Sequence, residues 1–153
     1  MHPTIAAWLE SSPKQLDEIY RTASAGNIPT GDTAGTAILA GKGQVTQWVA
    51  KLAAWLFWRG KIFDMFADDG EKGILVNKVS WYSVSLIVAK VYRQNSWLDG
   101  APCIVIDYAS TSLLARKIRD EIREVEPGVW LGNVWWGKTH ILNFALSQKT
   151  VQG

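Results

Sequence analysis

A chain of 153 residues falls within the size of one domain and can bury roughly 70% of the surface it exposes when unfolded. With 48% apolar and 20% charged residues it is neither a disordered nor a low-complexity sequence. Sixteen basic against 14 acidic residues give a net charge of +2, and the two signs are interleaved, so the cationic stripe of a nucleic-acid groove is missing.

The single cysteine, Cys103, lies in the apolar run Cys103-Ile104-Val105-Ile106, which excludes a disulfide framework and local zinc spacing. No stretch approaches the roughly 18 apolar residues of a membrane span, and residues 1–10 lack a secretory pattern. A cytoplasmic protein without a membrane span is the default expectation. Nine tryptophans are the compositional anomaly, and they point to a thick core, an aromatic-lined cavity or a sticky surface.

Residues 4–24 read as helix broken near Ser12-Pro13, because Ser12 can cap, Pro13 fits a first helical position, and Leu16, Ile19 and Tyr20 share a face. Gly26 is expected to end this segment. From 27 to 43, glycines and Pro29 surround Thr36-Ala37-Ile38-Leu39, a loop with a brief strand or turn. Residues 44–58 follow as a helix on the three- and four-residue spacing of Val45, Trp48, Val49, Leu52 and Leu56, with a thin polar face. That face suits core packing, or a dimer interface.

Strands are then expected at 60–66, 73–77, 79–93, 102–108, 129–136 and 140–147, separated by Asp68-Asp69-Gly70, Asp99-Gly100 and Trp136-Gly137-Lys138. One interruption is expected. Over 112–125, Leu114, Ile118 and Ile122 recur every four residues, and Arg116/Asp120 and Lys117/Glu121 can pair at i, i+4, which predicts a late helix. The whole is an α+β chain: an antiparallel β-barrel or strongly curled sheet with N-terminal helices and one late helix. It is one domain over 1–153, with a helical segment 1–26, a barrel 27–147 carrying the inserted helix 44–58, and a tail 148–153.

The ordered series Trp58-Arg59-Gly60-Lys61-Ile62-Phe63, Asn77-Lys78, Asp107-Tyr108, Arg119-Asp120-Glu121-Ile122-Arg123-Glu124-Val125 and Gly128-Val129-Trp130-Leu131-Gly132 resembles that of uncharacterised bacterial lipocalin-like small β-barrel proteins. The resemblance spans residues 28–147. It implies a calycin-type barrel, a fold that commonly holds a small apolar molecule and in some members carries out chemistry.

Absences narrow the chemistry. With one cysteine and only His2 and His140, a Cys-His pair, a Ser-His-Asp triad and a multi-His metal site lack their parts, and no glycine fingerprint for phosphates follows a strand. No cofactor and no metal is expected.

Polar residues interrupting apolar strands remain. Asp107 shares a strand face with Cys103 and Val105, and is either a carboxylate aimed into a cavity or the cap of the turn that follows. Tyr108, on the opposite face, is either a ligand donor or a core tyrosine. Arg119, Asp120, Glu121 and Arg123, the densest charge run, either clamp a ligand or lie on a solvated helix surface laced by ion pairs. Lys61 and Asn77 are ligand contacts or an edge lysine and a turn asparagine. Trp58, Phe63, Trp81, Trp130 and Trp136 line or plug the barrel if their faces converge, and His140, alternating with Leu142, Phe144 and Leu146, reads as a core histidine.

Three functions follow in order: binding of a small hydrophobic or aromatic molecule in a Trp-rich barrel, cofactor-independent acid–base catalysis of the isomerase or lyase type on such a molecule, and homodimeric assembly.

Overall fold

Ser12 and Pro13 divide the N-terminal helices as the sequence predicts. In the computed structural model, which describes residues 1–39, 61–64, 72–78, 86–108 and 115–149, α1 spans Pro3–Leu9 and α2 spans Pro13–Thr22. Ser12 Oγ accepts from the Gln15 amide while the Gln15 side chain accepts from the Ser12 amide, and Pro13 occupies the first turn, where no N–H is needed. The helix ends earlier than Gly26: Ala23 is extended, and Ser24 bridges to Glu124. Gly26 serves another purpose. It has a φ of 69°, and a Cβ there would run into the Glu124 side chain, so glycine lets the linker cross close to the sheet.

Eight strands follow among the described residues: β1 Gly31–Ile38, β2 Lys61–Asp64, β3 Lys72–Lys78, β4 Leu86–Asn95, β5 Pro102–Asp107, β6 Ile118–Glu126, β7 Val129–Trp136 and β8 Thr139–Gln148. Each pairs antiparallel with the next in sequence, and β8 pairs back onto β1, so the strongly curled sheet closes on itself. Strand β1 is a full strand in this closure, where the sequence suggested only a brief strand or turn; Gly35 faces Leu146 and Ala37 faces Phe144 in its ladder. Two-residue turns join the last strands, with Gly128 at φ 77° and Gly137 at φ 57°.

The expected late helix is absent. One 3-10 turn, Ala115–Lys117, leads directly into β6. Ile118 and Ile122 are four apart, which satisfies a helix, but they are also two strand periods apart, and the ladders of β5 and β7 on either side decide between the two. An extended strand rises about 3.3 Å per residue, which carries Asp120 and Glu121 away from Arg116 and Lys117 in the preceding turn, so the i, i+4 ion pairs of the helical reading do not form. The expected helix 44–58, with the face it offered to a second copy, and the turn at 68–70 lie outside the described residues.

Both faces of the sheet from β5 to β8 are largely buried. On one, Ile5, Trp8, Leu16 and Tyr20 of the helices pack over Cys103, Val105, Leu131 and Ala145. On the other, Ile104, Ile106, Val134, Leu142 and Phe144 form a second core. A closed eight-stranded sheet has room inside for side chains but not for two helices, so the helices lie outside and this second face is the enclosed one. Gly132 keeps that interior closely packed, because a Cβ there would meet the ring of Phe144.

Candidate functional site

On the enclosed face, which also takes in the buried Thr33 of β1, β5 and β6 bring two polar side chains together. Asp120 stands between Ile118 and Ile122 on β6 and pairs with Ile106 of β5; Tyr108 follows just beyond the end of β5 on the same face. Both are fully buried. The Tyr108 hydroxyl donates to Asp120 Oδ2 at 3.4 Å. Burial, then the neighbouring Asp120 carboxyl, pushes the Tyr108 phenol well above its ordinary range, so it stays a neutral donor. Withdrawing a carboxyl from water into such surroundings is costly unless something polar meets it.

Register carries other expected site residues onto this face. Lys61 pairs with Thr33 and with Asn77, Phe63 pairs with Leu75, and Leu75 pairs with Ala89, which belongs to the enclosed core. The strand positions of Lys61, Phe63 and Asn77 therefore continue the face of Tyr108 and Asp120. Trp130 lies on it too, its ring in the core and its Nε1 donating to the Asn27 carbonyl at 2.8 Å, and Trp136 packs against it half-buried. Trp58 and Trp81 lie outside the described residues.

Asp107 and Arg119 are not part of this cluster. Asp107 does share a face with Cys103 and Val105, but that face is the helix-covered one, and its carboxylate accepts from the Tyr92 hydroxyl at 3.0 Å. The dipeptide Asp107-Tyr108 is split by strand alternation, and the tyrosine is the member that points inward. Arg119, directly across from Asp107 in the ladder, donates to Glu121 (3.1 Å), to Gln94 (2.6 Å) and to the Asn95 carbonyl (2.9 Å), and lies over the Trp97 ring.

His140 is likewise turned. A bulge at Val134/Trp135 pairs Trp135 with His140 rather than with Ile141, so the imidazole lies beside the Trp135 ring and leaves the face of Leu142 and Phe144. Its Nε2 is 3.1 Å from the Leu142 carbonyl oxygen.

Two residues of this outer network, which the helical reading assigns to a solvated face, are buried instead. Glu121 is fully buried and accepts from Ser96 Oγ (2.6 Å), the Trp97 amide (2.8 Å) and Arg119. Arg123, 1% exposed, makes a two-pronged bond to Asp99 and donates to the carbonyls of Tyr20, Ala101 and Pro102. It thereby ties α2, the β4–β5 turn and β6 together. The usable signal was the alternation Arg119, Glu121, Arg123 on one strand face, which a helical period hides. Cys103 beneath the helices is inert, its thiol pushed up to about 12 by burial and then by the charge of Glu121.

No protein-family model and no curated protein matches the chain. Among solved structures it is similar to the crystal structure of a protein from Thermomonospora curvata, with a TM-score of 0.63 at 16% identity over 95% of this chain and 93% of that one. At this identity the likeness shows the fold alone. No helix among the described residues is long and apolar enough to cross a membrane.

Proposed function

We propose that the chain is a lipocalin-like barrel that holds a small hydrophobic or aromatic molecule against its enclosed face, with Asp120 and Tyr108 as the polar anchor. The buried carboxyl–phenol pair among the apolar side chains of the enclosed core carries this reading: apolar walls give affinity, and a few placed polar groups fix orientation. Trp130 and Trp136 supply aromatic surface on the same face. The strand positions of Lys61, Phe63 and Asn77 extend it toward β2 and β3.

Titration with N-phenyl-1-naphthylamine, a neutral apolar fluorophore, tests the reading. Saturable binding is expected, together with displacement by aromatic ketones. Tyr108→Phe, which removes the phenol donor, should weaken the ketones about tenfold, the order of one lost hydrogen bond, while leaving the apolar fluorophore within a few-fold. Equal ketone affinity in the two proteins would place the ligand elsewhere.

The same pair supports a second reading, cofactor-independent proton transfer. A carboxylate at Asp120 can take a proton next to a carbonyl while the neutral Tyr108 phenol donates to the developing oxyanion, the division of labour of isomerases and lyases. Exchange of solvent deuterium into a bound ketone, abolished in Asp120→Asn, would favour it.

A further inference from the structure

The helix-covered face of β7 carries two buried N–H donors for which the described residues provide no acceptor, Nδ2 of Asn133 and Nε1 of Trp135. Asn133 is fully buried and Trp135 is 7% exposed. Two residues apart on one strand, they share a face, with Cα atoms roughly 7 Å apart. A neighbour sets the Asn133 amide: Asn143 Nδ2 donates to the Gly132 carbonyl (3.3 Å) and to Asn133 Oδ1 (2.7 Å), which engages that oxygen and turns the Asn133 NH2 elsewhere. Buried donors without acceptors are rare in native proteins, because each gives up its hydration for nothing. Two at successive positions of one face mark a place for an acceptor-bearing group.

The surroundings select the acceptor. Glu121, beside Asn133 on β6, is already filled by Ser96, Trp97 and Arg119, and it balances the charge of Arg119. Lys138 in the β7–β8 turn is not balanced. Its ammonium lies 3.6 Å from the centre of the Trp97 ring, and no carboxylate among the described residues pairs with it. Trp97, 39% exposed, stands edge-on to Trp135 at 5.8 Å, forming an aromatic wall from the surface to the buried donors.

We propose that this position binds the carboxylate of a small aromatic acid. The two oxygens accept from Asn133 Nδ2 and Trp135 Nε1, Lys138 balances the charge, and the ring rests against Trp97. The site is on the face opposite Asp120 and Tyr108 and stands independently of the interior ligand.

The test follows the indole N–H resonance of Trp135, assigned by through-bond correlation to its backbone amide, during titration with sodium benzoate, benzyl alcohol and inorganic phosphate. Benzoate should shift the resonance saturably and benzyl alcohol should not. Lys138→Gln, an exposed turn substitution that leaves the core intact, should weaken benzoate about tenfold. The proposal is overturned by the absence of a saturable benzoate shift, by an equal response to benzyl alcohol, by unchanged affinity in Lys138→Gln, or by a response to phosphate alone.

Discussion

Glu121 takes up four donors inside the protein, from Tyr20, Ser96, Trp97 and Arg119, and all four lose this acceptor if its carboxylate is removed. Glu121→Ala should therefore cost about 3–5 kcal/mol in urea denaturation, the scale of breaking a buried ion pair, whereas an exposed acid such as Glu10 replaced by alanine should cost under about 0.5 kcal/mol. Asp99 gives a pH signature. Its bond from Arg123 holds the carboxyl below its ordinary value, so the folded state binds that proton less readily than the unfolded chain. The resulting stability is present above the unfolded value of 3.8 and is lost as pH falls through the lower folded one. Denaturation midpoints of Asp99→Asn should be lower than wild type at neutral pH and converge with it in acid. Tyr108 was legible as a polar residue at the end of an apolar strand. Glu121 and Arg123 were not, because reading Ile118 and Ile122 as one helical stripe assigned their neighbours to solvent.

The helices α1 and α2 lie over Cys103, and this makes the thiol a reporter of their docking. With the thiol raised to about 12, iodoacetamide at pH 8 should leave Cys103 unmodified in the native protein. Leu16→Ala, which removes a fully buried α2 side chain, should destabilise by about 2–5 kcal/mol and bring the modification rate up with it. Mass spectrometry after timed quenching measures both, and rapid labelling of the wild type would contradict the docking. The helix break at Ser12-Pro13 was legible because a capping box is local chemistry. The strand identity of 118–126 was not, because apolar residues four apart satisfy both periods, and only the pairing of β6 with β5 and β7 decides. The bulge at Val134/Trp135 had no sequence mark, and it alone moves His140 to the other face.

Closure of the sheet gives the molecule two buried faces of different character. The helix-covered one holds the ionic ties of Glu121 and Arg123; the enclosed one is apolar around Asp120 and Tyr108. The antiparallel order of the strands followed in the sequence from the turn residues between them. Which face was enclosed did not, since alternation is symmetric until the helices choose a side. Packing at Gly132 probes the interior. Gly132→Ala should cost about 1–3 kcal/mol by displacing the ring of Phe144, read as a lower thermal midpoint.

The central claim is that the enclosed face holds a small apolar molecule anchored by Asp120 and Tyr108. Native mass spectrometry of the protein as purified from cells, before and after mild organic extraction, tests it most directly. The account predicts a bound small molecule, lost on extraction with a change in tryptophan emission, and bound less by Asp120→Asn. A wild-type protein that carries no adduct from cells and takes up no neutral aromatic molecule afterwards would contradict it.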